Sequence, residues 1–142
     1  MNYCMRLIAL SVVLFTWMPM GFAQDQYLLS KPIRSALMDG DYSVFKGICT
    51  IKVSTNFESP VELTGYIYKE KFIEEFAHRF SRFTVLRIEG GVQQIESTFA
   101  VQSINVMMKH KRTDKTVYYK LIFFMTKIEQ EWKIYYFKGL RI

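Results

Sequence analysis

Histidine and cysteine each occur twice in this chain, and none of the four residues has neighbours that suit catalysis or metal binding. His78 follows Glu74 by one helical turn and lies between Ala77 and Arg79, off the apolar stripe of its segment, so it reads as a solvated imidazole. His110 belongs to the basic run Lys109-His110-Lys111-Arg112. No ligand set at metal spacing forms around either histidine, so neither a metal nor a cofactor is expected. Cys49 is embedded in Gly47-Ile48-Cys49-Thr50-Ile51, the setting of a small buried hydrophobe rather than a nucleophile. Neither a Gly-rich phosphate loop nor a Gly-x-Ser-x-Gly elbow is present.

Acid–base chemistry would need a titratable group held in an apolar cavity, with a second donor aimed at developing charge. Between Ser97 and Ile142 the acidic residues are Asp114, Glu129 and Glu131, all in or beside turns. Gln102, Ser103 and Asn105 interrupt an otherwise apolar strand; Ser103 and Asn105 share one parity, while Gln102 shares the other with Ala100, Ile104 and Val106. Tyr42, Tyr119 and Tyr136 can bring hydroxyls to a pocket, or can be core rings whose hydroxyl reaches the rim. The candidate pocket-lining set is therefore Tyr42, Gln102, Asn105, Tyr119 and Tyr136, with no catalytic residue nominated.

Two kinds of element must position these groups. Residues 26–37 place apolar side chains on one helical face, with the helix proper starting near Ser30 and Pro32 in its first turn. Gly40 closes it, and Asp41 is expected to cap a second short helix from Tyr42 to Ile48. Cys49 to Phe57 alternates as a first strand. Lys69 to Arg82 is the clearest helix, with Phe72, Ile73, Phe76, Ala77 and Phe80 in one stripe and Glu75 four residues before Arg79 on another side.

From Phe83 onward the pattern is strand: Phe83–Glu89, then a Gly90-Gly91 turn with a bulge or loop reaching Glu96, then Ser97–Lys111 and a closing pair over Thr116–Ile142. In that pair 117, 119, 121, 123 and 125 form one core-facing set, and 132, 134, 136, 140 and 142 the other. Glu129-Gln130 lacks Gly and Asn, so a loop longer than a two-residue type I′ turn is expected there.

The chain has 142 residues, half of them apolar, which fits a single domain with one substantial core. Residues 1–23 differ in composition: Arg6 is the one charge, an apolar run spans Leu7 to Trp17, and Gly21 and Ala23 precede Gln24-Asp25. That is the pattern of a cleaved signal peptide, leaving a domain over 24–142 in the periplasm or outside the cell. The alternative is a retained anchor, since the uncharged stretch approaches the ~20 residues that span a bilayer. Removal of Cys4 with the leader leaves Cys49 without a disulfide partner. The net charge of +6 is diffuse. Lys109, Lys111, Arg112 and Lys115 read as a solvated hairpin tip, and export argues against nucleic acid as a partner.

The order helix, short helix, strand, amphipathic helix, then long antiparallel strands resembles the nuclear transport factor 2-like superfamily over roughly Gln26 to Ile142. Gly40-Asp41, the run Tyr66-Ile67-Tyr68-Lys69-Glu70-Lys71-Phe72 and the endings Trp132-Lys133-Ile134 and Leu140-Arg141-Ile142 resemble small exported bacterial members of unknown function. The resemblance implies an α+β fold in which a strongly curved, mostly antiparallel sheet wraps N-terminal helices into a cystatin-like cone that often encloses a pocket. Enzymes of isomerase and dehydratase type occur in that superfamily, with carboxylates, histidine or tyrosine inside the cone. This chain lacks a mid-strand carboxylate in its later strands, which departs from the isomerase pattern.

The closing strands are apolar on both parities, so their outer face is also expected to be covered. Superfamily members often dimerise through that face, and Ile122, Phe124, Tyr135 and Phe137 are the expected contacts. The leading expectation is an exported, non-enzymatic domain binding a small apolar ligand or an envelope protein. A pocket enzyme and a structural module of the cell envelope are the alternatives, the last predicting a filled cone.

Overall fold

A computed structural model describes residues 30–142. The expected leader over 1–23 and the start of the first helical stretch lie outside the described residues. Helix α1 runs Ser30–Asp39. Pro32 fits its first turn, where an N–H has no intrahelical acceptor. Ile33, Ala36 and Leu37 are buried, and Gly40 (φ 73°) ends the helix with its N–H donating to the Ala36 carbonyl at 2.8 Å.

Asp41 caps no helix. Its carboxylate accepts from the Ser43 N–H (3.1 Å) and hydroxyl (2.7 Å), closing a local turn. Helix α2 is consequently shorter than expected, Phe45–Ile48. Strand β1 (Cys49–Phe57) and strand β2 (Leu63–Tyr68) then form an antiparallel pair. Helix α3 spans Lys69–Phe80, burying Phe72, Phe76 and Phe80 and carrying the Glu75–Arg79 pair at 3.4 Å on its more open side.

Strands β3 (Phe83–Ile95), β4 (Phe99–His110), β5 (Thr116–Ile128) and β6 (Glu131–Arg141) follow as an antiparallel series. The six-stranded sheet has the order β2-β1-β6-β5-β4-β3, and the β1–β6 pair is parallel. The sheet is open, with β2 and β3 at its edges. Helix α3 packs on β1 and β2, α1 on β3, and α2 on α3 and β6. The molecule is thus α+β, with helices against a large, mostly antiparallel sheet.

Three local features depart from the sequence reading. Gly90-Gly91 forms no turn: β3 continues to Ile95 through a register shift between Gly90 and Gln93. A Cβ on Gly91 would sit 2.5 Å from the Ser103 carbonyl oxygen, so a glycine is what lets the bulged strand lie on β4. Secondly, Glu129 (φ 49°) and Gln130 (φ 70°) make a two-residue turn between the paired Ile128 and Glu131, the left-handed geometry of a type I′ turn without Gly or Asn.

Thirdly, β6 changes parity midway. Phe124 pairs with Tyr136 and Met125 with Ile134, leaving Tyr135 as an extra residue. The bulge reverses every side chain beyond it. Ile134 faces the core as expected, but Phe137 follows it inward at 0% exposure, while Tyr136, Leu140 and Ile142 turn outward.

Candidate functional site

The interior contains rings. Phe45, Phe57, Phe72, Phe76, Phe80, Phe123 and Phe137 are each 2% exposed or less. They form one contact network, from Phe76–Phe80 at 4.3 Å between centroids to Phe57–Phe137 at 5.5 Å and Phe123–Phe137 at 5.8 Å. Tyr42 joins as a core ring, 5.3 Å from Phe76. Tyr119 is fully buried and donates its hydroxyl to the Glu58 carbonyl at 2.8 Å. Its ring fills the space over Gly139, where a Cβ would meet the Tyr119 hydroxyl and Phe57 at 2.5 Å.

Among the described residues, the buried ionisable groups of the interior are a thiol and two phenols. Burial pushes the Cys49 thiol up to about 12, with Lys69 and Lys133 opposing more weakly. Burial likewise raises the phenols of Tyr42 and Tyr119, and the Glu58 charge raises Tyr119 further. Each therefore stays protonated near neutral pH.

The five candidate pocket residues do not share one site. Tyr42 and Tyr119 belong to the aromatic interior, and Gln102 is buried on the inner parity of β4. Asn105 lies on the outer parity, its Oδ1 buried without a hydrogen-bond partner. Tyr136 is a correction: the β6 bulge carries it to the outer face, where it stacks on Phe124 at 5.0 Å and 28°. Phe137, expected on a dimer face, is the complementary correction, since it lies at the centre of the core. Ile122, Phe124 and Tyr135 remain outside and half-buried. Phe99 extends that surface, 6.5 Å from Phe124.

A recess that sequence reasoning missed opens beside this face. Cys49 pairs with Ile134 and Ser54 with Tyr136, so residues 50–53 of β1 stand opposite Tyr135 alone. The strands part, and Thr50 Oγ1 lies 2.5 Å from the Lys52 carbonyl and 3.2 Å from that of Ile134. The gap leaves a recess of about 600 Å³ lined by Ile51, Lys52, Tyr66, Lys69, Lys133 and Tyr135, among others. A second hollow of about 560 Å³ adjoins it, sharing Ser54, Tyr66 and Tyr135 and reaching Tyr136.

Lys69 donates to the Lys46 carbonyl at 3.1 Å, Lys133 to that of Gly47, and Lys52 lies over the Tyr66 and Tyr68 rings at 5.3 and 4.6 Å. Nothing in the sequence singles out these lysines. Their shared location follows from the parallel pairing of β1 with β6, which local periodicity does not encode. No group of three or more His, Cys, Asp or Glu able to hold a metal occurs among the described residues.

No protein-family model matches the chain, and no curated protein matches it. Solved structures do resemble it. A DUF4783 family protein from Bacteroides uniformis superposes with a TM-score of 0.67 at 12% identity, over 80% of this chain and 97% of its own. An NTF2-like protein from Cytophaga hutchinsonii gives 0.60 at 13%, over 80% and 92%. A provisionally assigned isomerase from Rhodopseudomonas palustris gives 0.62 at 10%, over 79% and 84%. At these identities the likeness establishes the fold, which is NTF2-like, and carries no activity with it.

Proposed function

We propose that this chain is a non-enzymatic interaction domain of an exported protein, acting through the outer face of its sheet. The observation that supports this reading is the ring-packed interior of the described residues. Seven phenylalanines, each 2% exposed or less, pack between helices and sheet, and the buried thiol and phenols stay protonated near neutral pH. The outer face, by contrast, keeps Ile122, Phe124, Tyr135 and Tyr136 half-exposed. Apolar area left open in this way lowers free energy when another surface covers it.

The partner we assign to that face is a second copy of the chain, with Tyr136 taking the place expected of Phe137. Sedimentation velocity of the domain over 24–142 at about 20 µM, a concentration suited to micromolar association, is expected to show a dimer. Phe124→Asp is expected to make it a monomer with an unchanged far-ultraviolet spectrum, because a carboxylate on that patch cannot be desolvated cheaply. A monomeric wild-type protein at that concentration overturns the assignment. Export predicts that the same chain, produced in a bacterium with its leader, is recovered outside the cytoplasm with residues 1–23 removed.

A further inference from the structure

We propose that the recess where β1 parts from β6 binds a small amphiphilic carboxylate, its head on Lys69 and Lys133 and its apolar body against Ile51, Tyr66 and Tyr135. The site adjoins the proposed dimer face and shares Tyr135 with it, while its cations lie outside that face.

The charge argument begins with the donors. An ammonium has three N–H groups. Lys69 uses one on the Lys46 carbonyl, while Lys133 uses one on the Gly47 carbonyl and a second toward Glu131 at 3.1 Å. Two donors on Lys69 and one on Lys133 therefore remain, a number suited to the lone pairs of one carboxylate. Main-chain carbonyls in the last turn of α2 hold both ammoniums, and the Lys133 side chain is 22% exposed, so neither is a freely swinging surface lysine. Both line the same recess, together with Cys49. Lys52 adds a third cation, and the residues lining the recess include no carboxylate. Glu131, 71% exposed, reaches Lys133 from outside the recess.

The body of the ligand follows from the walls. Ile51 is 74% exposed at the crest of the β1 bulge, and Tyr66 is 67% exposed on edge strand β2. With Tyr135 they present apolar surface next to the cations, and the adjoining hollow extends it past Ser54 toward Tyr136. Lysine ammoniums meet a carboxylate as compact point charges, each oxygen taking its own donor, without the planar fork of an arginine.

The test titrates decanoate, below its micellar concentration, into the ¹⁵N-labelled domain, with decanol as the uncharged control. Decanoate is expected to shift the amides of residues 49–54, 66–69 and 133–136, with decanol at least about tenfold weaker, corresponding to loss of a charge-assisted contact. Lys69→Met and Tyr66→Ser are each expected to weaken decanoate at least about fivefold, and a native-like spectrum verifies each fold. Tyr66 is an exposed edge residue, so its variant keeps the test decisive if Lys69→Met fails to fold. Equal binding of decanol and decanoate, shifts confined to the outer face of β4 and β5, or undiminished affinity in folded Tyr66→Ser overturns the proposal.

Discussion

Cys49 is 4% exposed, and its thiol is held up to about 12 from an ordinary 9.0, chiefly by burial. A thiol is neutral when protonated, so the folded state retains its proton after the unfolded chain has released one. The stability tied to this group is fully present below pH 9 and is lost at up to about 1.4 kcal/mol per pH unit as pH rises toward 12. Tyr42 and Tyr119, raised from 10.0, act in the same direction from about one unit higher. Urea midpoints measured at pH 8 and 10.5 are therefore expected to fall, and Cys49→Ala is expected to have a shallower slope although it is less stable at pH 8. Parallel slopes would mean that the thiol is not sealed. That Cys49 is a buried hydrophobe was legible from its apolar neighbours. That it shares a recess with two lysines was not, because Lys69 and Lys133 lie 64 positions apart in the chain and come to one recess only in the assembled fold.

Among the elements, the periodic ones were readable and the irregular ones were not. β1 spans the residues its alternation indicates, and α3 carries its stripe of Phe72, Phe76 and Phe80 inward. β6 was misread from Tyr136 onward, since Tyr135-Tyr136-Phe137 is apolar at every position and offers no polar residue to mark the bulge. The turn before it was misread because Glu129 and Gln130 occupy left-handed backbone that usually selects Asn and Gly. This mismatch makes the turn improvable. Replacing the pair by Asn-Gly is expected to stabilise the fold by about 0.5–1 kcal/mol, the scale of relieving unfavourable backbone conformations, which is roughly 2–6 °C for a domain of this size. Calorimetry would check it, and no gain would imply that the glutamate and glutamine side chains offset their backbone cost elsewhere.

At the scale of the whole molecule, the helices and the sheet meet through Phe76. Its ring lies 5.3 Å from those of Tyr42 and Phe45, 5.4 Å from Phe72, 4.3 Å from Phe80 and 5.8 Å from both Phe57 and Phe137. One side chain from α3 therefore touches rings from β1, β6, α2 and the turn before α2. A close-packed interior cannot collapse onto the gap left by such a residue, so Phe76→Ala is expected to cost about 3–5 kcal/mol. That is a large fraction of the ~5–15 kcal/mol available to a domain. Tyr66→Ala, at the exposed edge, is expected to change stability by no more than about 0.5 kcal/mol. Denaturant titration of the two variants compares the ring-packed centre with the exposed sheet edge. A cost below about 1 kcal/mol for Phe76→Ala would mean that the interior tolerates a void, and a pocket within the fold would then displace its outer surface as the place to look for function.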